Sequence, residues 1–206
     1  MEDLGLDPGQ GITEVARTVM KNTDFSKESI GYVNPGSIYR TVIPTLKRDI
    51  EMQRTILKAQ LEQELKARSV AAGSATKLVL SDRSAIDPVA YAVLTAANKE
   101  DERQRKEILV DIPEFQDALR WYREGMFILF KPVSEWLVDD GVRSMDARGQ
   151  NLDAFRGLLE ELDIPFVELG GEIKNIQARV EFAKRLIKRM VRMLVHLRQN
   201  PDKSKV

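Results

Sequence analysis

Lys77-Leu78-Val79-Leu80-Ser81-Asp82 is a short apolar run that ends in an acid. It is too brief for a helix and suits a strand buried on both faces of a parallel sheet. Two runs of the same kind follow. Met126-Phe127-Ile128-Leu129-Phe130 is stopped by Lys131-Pro132, and Pro165-Phe166-Val167-Glu168-Leu169 is closed by Gly170-Gly171. Helical patterns separate them, at Ala85 to Ala97, at Glu100 to Tyr122 with a break at Pro113, and at Leu152 to Leu162. Short apolar strands alternating with helices predict a parallel sheet with helices on both faces.

Upstream, Ile12 to Met20 reads as a short strand running into a helix. A loop-like stretch from Asn22 to Pro44, with a turn at Asn34-Pro35-Gly36, leads into a long amphipathic helix from about Thr45 to Arg68. Its apolar face is set by Leu46, Ile50, Leu57, Leu61 and Leu65. Ser69 to Thr76 then reads as the connection to the first apolar run. At the other end, Ile173, Ile176, Val180, Ala183, Ile187, Val191 and Leu194 hold one face of a last helix until Asn200-Pro201. We expect one domain over residues 1–206, with a core from 12 to 197 and a flexible tail from 198 to 206.

Composition narrows the function classes. Thirty-two basic residues balance 32 acidic ones, so there is no long-range positive field to attract nucleic acid. With no cysteine and one histidine, thiolate zinc sites, disulfides, cysteine nucleophiles and histidine-rich metal sites are excluded. The opening residues lack a basic and apolar leader, and no apolar run approaches about 18 residues, so a cytoplasmic chain without a transmembrane segment is expected.

In open parallel sheets, ligands bind beyond the C-terminal ends of the strands. Asp82 stands at such an end, where a carboxylate can hold a metal ion or its water beside phosphates. Its surroundings also admit a purely local reading: Ser84 and Asp87 have capping-box spacing, and Asp87 before Pro88 could be an N-cap. Arg143, on a loop bent at Gly141, could neutralise charge on a transferred phosphoryl group, or be an exposed arginine after an acidic turn. Trp121, Trp136 and His196 read as core or interface residues. Arg185, Lys188, Arg189 and Arg192 form a basic stripe opposite the last helix's apolar face, either a solvated face or a site for an anionic surface such as phosphoinositide or nucleic acid.

Several separated motifs carry a family resemblance. They are Asp82-Arg83-Ser84-Ala85-Ile86-Asp87-Pro88 with Ala90-Tyr91-Ala92, Pro132-Val133-Ser134-Glu135-Trp136-Leu137-Val138-Asp139-Asp140-Gly141-Val142-Arg143, Thr13-Glu14-Val15-Ala16-Arg17, and Glu51-Met52-Gln53-Arg54. Over Thr13 to about Leu186 the chain resembles the AAA-like P-loop domains grouped with the ribosylnicotinamide-kinase part of NadR and the TRP-channel translocation defect proteins, with the fungal members nearest. The resemblance implies a three-layer P-loop NTPase or small-molecule kinase fold that uses ATP and Mg²⁺. It implies Asp82 as the catalytic acid on the metal side, Asp140, Gly141 and Arg143 in the lid, and Glu14 and Arg17 facing the acceptor substrate. Glu14 and Arg17 also read as a helix-surface pair at i, i+3.

One part of the family pattern is missing. Such domains begin with a strand, a Gly-x-x-x-x-Gly-Lys-Ser/Thr loop and a helix, and Gly5, Gly9 and Gly11 have no Lys-Ser or Lys-Thr after them. Strand, loop and helix need roughly 25 residues, whereas 12 precede Thr13. Gly31 to Thr45 also has no counterpart in the family. The expectation is therefore a P-loop kinase-like domain without its first strand and phosphate-binding loop, a fragment or degenerate copy with impaired nucleotide binding. The alternative is a non-catalytic module that uses its basic helix or an exposed sheet to engage an anionic surface or a protein.

Overall fold

The computed structural model describes residues 7, 9–13, 15–23, 42–75, 77–136 and 148–199. Among the described residues four strands and seven α-helices follow in the order β1 Gly11–Ile12, α1 Val15–Asn22, α2 Val42–Gly73, β2 Leu80–Ser81, α3 Ile86–Leu94, α4 Lys99–Val110, α5 Pro113–Glu124, β3 Phe127–Phe130, α6 Arg148–Glu161, β4 Phe166–Leu169 and α7 Ile176–Gln199. A 3₁₀ turn at Ser134–Trp136 follows β3.

All strand pairing is parallel, as the apolar runs predicted. Among the described residues, however, the strands do not join into one sheet. β1 pairs with β2 (Gly11 with Leu80, Ile12 with Ser81) and β3 pairs with β4 (Phe127 with Phe166 through Phe130 with Leu169), as two separate two-stranded ladders. A two-stranded ladder has two edges and gives its side chains little shelter. Leu80 and Phe130 accordingly remain 39% and 51% exposed, where strands buried on both faces were expected. The expected strand at Lys77–Ser81 shortens to Leu80–Ser81: Lys77 takes a left-handed backbone (φ 53°), which an extended strand excludes, and the short β1 pairs with Leu80 and Ser81 alone among the described residues.

The core lies mainly between helices. Leu57 and Leu61 of α2, Ile86 and Val89 of α3, Leu109 of α4, Phe115 and Leu119 of α5, and Leu158 and Leu159 of α6 form one cluster that Phe127 and Phe166 border. α2 is longer than expected, since the small residues after Arg68 continue the helix to Gly73. Its buried face is also partly polar: Asp49, Gln53, Gln60 and Glu64 are buried, whereas Leu65, expected on the apolar face, is 57% exposed. Buried polar groups persist when they are partnered. Asp49 meets Arg105 at 2.6 Å and the Thr95 hydroxyl at 2.7 Å, which joins α2 to α3 and α4.

Local chemistry sets the helix starts. Asn98 caps α4 by accepting from the Glu100 and Asp101 amides at 3.0 Å, with Glu100, Asp101 and Glu102 in the positive first turn. Pro113 opens α5 at a position where its missing N–H costs nothing. At α3 the capping-box spacing is realised: Asp87 accepts from the Ser84 amide at 3.0 Å and Ser84 Oγ accepts from the Ile86 amide at 3.2 Å. Asp87 therefore lies inside the helix and is not its N-cap.

Candidate functional site

The ends of β1 and β2 sit side by side. The Leu80 amide donates to Gln10 O at 2.9 Å and the Asp82 amide to Ile12 O at 3.1 Å, so the backbone delivers Asp82 beside the turn from β1 into α1. Gln10, fully buried, sews β1 to the chain before β2: its Nε2 donates to Ser74 Oγ at 3.0 Å and to Leu78 O at 2.5 Å. Asp82 itself is exposed, and its charge acts on the neighbouring Arg83 guanidinium. Arg17 is exposed on α1. The structure thus brings Asp82 and the helix bearing Arg17 to one edge. Glu14, Asp140, Gly141 and Arg143 lie outside the described residues.

The turn after Asp82 is held from below by α2 and α5. Gln60 Nε2 donates to Arg83 O at 2.9 Å, Glu64 Oε1 accepts from the Ala85 amide at 3.2 Å, and Tyr122 Oη donates to Glu64 Oε2 at 2.6 Å. The Ala85 amide also reaches Tyr122 Oη, at 3.1 Å. Burial pushes the Glu64 carboxyl above its ordinary value, against hydrogen bonds from Tyr122, Gln60 and Ala85 that favour the anion. Burial and the neighbouring Glu64 charge push the Tyr122 hydroxyl well up. Arg83 and Asp87 close the turn with an ion pair at 2.9 Å, and Ser81 Oγ donates to Arg83 O. Gln60, Glu64 and Tyr122 thus shape the Asp82 turn without facing solvent, and none was expected as a site residue. The sequence signal was slight: Gln60 and Glu64, four apart, fall among Leu57, Leu61 and Ala67 on one face of the helix.

Asp82 fits one kind of metal. Among the described residues no three Asp, Glu, His or Cys side chains gather into a cage. A lone exposed carboxylate suits Mg²⁺, which keeps several waters and takes its other ligands from phosphate oxygens.

A second rim lies beyond β3 and β4. Lys131 N donates to Leu169 O at 2.9 Å, and Gly171 passes so close to Pro132 that a Cβ there would meet Pro132 O at 2.5 Å. The Gly170-Gly171 pair therefore does more than end a strand: it lets the two loops touch. Arg179, in the first turn of α7, is 7% exposed and donates from one terminal nitrogen to Lys131 O at 3.0 Å and Gly170 O at 3.1 Å. Trp136, expected in the core or an interface, is 43% exposed on this rim. Trp121 is half-buried against the core, and the side chain of His196 lies outside the described residues. Arg185, Lys188, Arg189 and Arg192 are all exposed along α7, and no described helix is long and apolar enough to cross a membrane.

A pocket of about 440 Å³, bordered by Arg123, Leu159 and Phe166, opens at the start of β4. That is the opposite end from Leu169, Gly170 and the rim where a parallel fold binds ligands, and Arg123 there is already bonded to Leu162 O at 3.0 Å.

The sequence model of one protein family, described as an AAA domain, matches residues 10–179. No curated protein and no solved structure matches the chain.

Proposed function

The chain belongs to the AAA-domain family, and from that premise we propose that it is a nucleotide-binding P-loop domain of the small-molecule kinase type, similar to the NadR-like branch, whose 206 residues alone bind ATP-Mg weakly or not at all. The observation that carries the reading is Asp82: an exposed carboxylate beside the Arg83 guanidinium, at the end of a parallel strand whose following turn is held by buried side chains of α2 and α5. When bound, Mg²⁺ would supply charge neutralisation at the phosphates. Asp82 would hold the ion or its water. By resemblance, Arg143 would meet the transferred phosphoryl group, Asp140 and Gly141 would bend the lid, and Glu14 and Arg17 would face the acceptor.

The weakness follows from what the sequence lacks. A phosphate loop brings several converging backbone amides, a lysine and a metal-binding hydroxyl, and no Gly-x-x-x-x-Gly-Lys-Ser/Thr occurs in the 206 residues. Asp82 without them offers negative charge to a negative ligand. The separation of the strands into two ladders also agrees with a sheet that has no strand between its halves.

Calorimetric titration of ATP with Mg²⁺ tests this on the 206-residue chain and on a version carrying a strand and phosphate loop ahead of Met1. Micromolar binding confined to the longer version is expected. Micromolar affinity in the 206-residue chain, abolished by Asp82→Ala, would show that the loop is dispensable. The rival reading, a binding module for anionic surfaces, draws on the four exposed basic residues of α7. They lie on the face opposite the helix's apolar residues, the arrangement of an interfacial amphipathic helix, so this reading needs that apolar side to be free to meet the bilayer. Sedimentation with anionic vesicles would separate the two readings.

A further inference from the structure

The rim beyond β3 and β4 holds an aromatic pair around one buried guanidinium. Arg179 Cζ lies 5.4 Å from the Phe130 ring centre and 5.3 Å from that of Trp136. Both rings are exposed, and they are the exposed aromatic side chains among the described large hydrophobics. A water-facing Phe and Trp on the same cation are costly to leave bare, and they present flat π surfaces at the end of the strands where a parallel fold takes its ligands.

The polar atoms around them sort the ligand chemistry. Lys131 Nζ is tied to Glu168 at 2.8 Å, and Lys174 is tied to Glu135. One terminal nitrogen of Arg179 is spent on strand-end carbonyls. The nearby cations are thus already answered by anions or carbonyl oxygens, and the rim is poorly equipped to grip phosphate. Among the donors it has left, Arg179 Nε is buried and finds no acceptor among the described residues. A buried N–H without a partner is costly, and an acceptor brought in past the aromatic pair would remove that cost.

A planar ring with hydrogen-bond acceptors on its edge meets both requirements. We propose that Phe130, Trp136 and Arg179 form a nucleobase subsite, in which the base stacks on the exposed rings and a ring nitrogen or carbonyl accepts from Arg179 Nε. This deepens the nucleotide-binding reading and rests on it. It also separates the two ends of the ligand: Asp82 serves the phosphate and metal end, and the β3–β4 rim serves the base. Because the rim makes no use of phosphate, adenosine and ATP bind the 206-residue chain with similar, roughly millimolar affinity.

The chain has two tryptophans, so 5-fluorotryptophan labelling gives two ¹⁹F signals, assigned with Trp136→Phe. Titration with adenosine shifts the Trp136 signal and leaves that of half-buried Trp121 in place, while ribose 5-phosphate and triphosphate shift neither. Phe130→Leu keeps an apolar side chain but removes a stacking ring, and weakens adenosine binding about tenfold as read at Trp136. An unmoved Trp121 signal confirms that this variant is folded. The subsite is refuted if Trp136 ignores adenosine, if phosphates alone move it, if indole moves it as strongly as adenosine, or if Phe130→Leu binds normally. ATP-Mg binding that depends on Asp82 with a silent Trp136 would overturn the subsite and leave the nucleotide-binding assignment standing.

Discussion

Replacing Tyr122 with phenylalanine removes one oxygen and leaves the ring where it packs edge-on against Phe115 and Phe127, with centres 6.4 and 5.4 Å away. The oxygen has two roles in the turn after Asp82, donating to Glu64 Oε2 at 2.6 Å and accepting from the Ala85 amide at 3.1 Å. The amide keeps Glu64 Oε1 at 3.2 Å, so it is weakened and not orphaned. The Glu64 carboxylate loses a short, charge-assisted donor in a site that is 5% exposed. Hydrogen bonds to charged groups contribute about 1.5–3 kcal/mol, so Tyr122→Phe should cost about 2 kcal/mol, or roughly 4–8 °C in Tm for a domain of this size.

The loss should depend on pH. Burial holds the folded Glu64 carboxyl above its ordinary value, so the folded state retains a proton that the unfolded state releases. Stability then falls as pH rises from the ordinary glutamate range through the raised folded value. Tyr122 is the largest of the hydrogen bonds that restrain that rise. Without it the folded value climbs further, and the difference between the two proteins grows with pH. Urea denaturation at several pH values, with hydrogen exchange at the Ala85 amide, measures both effects. A loss under about 0.5 kcal/mol at neutral pH, with Ala85 exchanging as slowly as before, would refute the clamp.

Arg105→Met strands Asp49, which is fully buried beside Arg105 and Thr95, and should cost about 3–5 kcal/mol in urea denaturation. Asp49→Leu combined with Arg105→Met should recover much of that, because no buried charge is then left unpaired. Gly171→Ala puts a methyl group 2.5 Å from Pro132 O; the loops must part, at about 1–3 kcal/mol, and thermal unfolding should record a lower Tm than for Gly157→Ala, where nothing lies within 4 Å.

The sequence showed the elements more clearly than it showed how they assemble. The runs ending at Leu80, Phe130 and Leu169 are strands, and Pro113 begins a helix, because local apolar patterning and backbone restriction decide such features. Whether strands share one sheet depends on hydrogen bonds between residues far apart, and no local pattern encodes that Leu80 pairs only with Gly11. Leu65 was misplaced for a related reason. Hydrophobicity alone favours it over Glu64, yet the buried face follows the partners that Tyr122 and Ala85 provide for the glutamate. Asp82 was legible because a charged residue ending an apolar run is conspicuous. Its supports were not, because Gln60 and Glu64 resemble ordinary surface residues of a polar helix. The Arg179 rim was invisible: it needs Gly171 to pass beneath Pro132 before Phe130, Trp136 and Arg179 can meet.

The unequal lengths of the two ladders also bear on how the molecule opens. Among the described residues, four rungs join β3 to β4 across a 3₁₀ turn and α6, whereas two rungs join β1 to β2 across the whole of α1 and α2. The long crossover has the greater closure entropy and the fewer bonds to repay it, so the first pair is the weaker cooperative unit and separates at lower free energy. Asp82 therefore rides on the more labile half of the chain. Its position is kept less by the sheet than by Gln10, Gln60 and Glu64, the buried polar side chains that tie that half to its long helix and the chain around it.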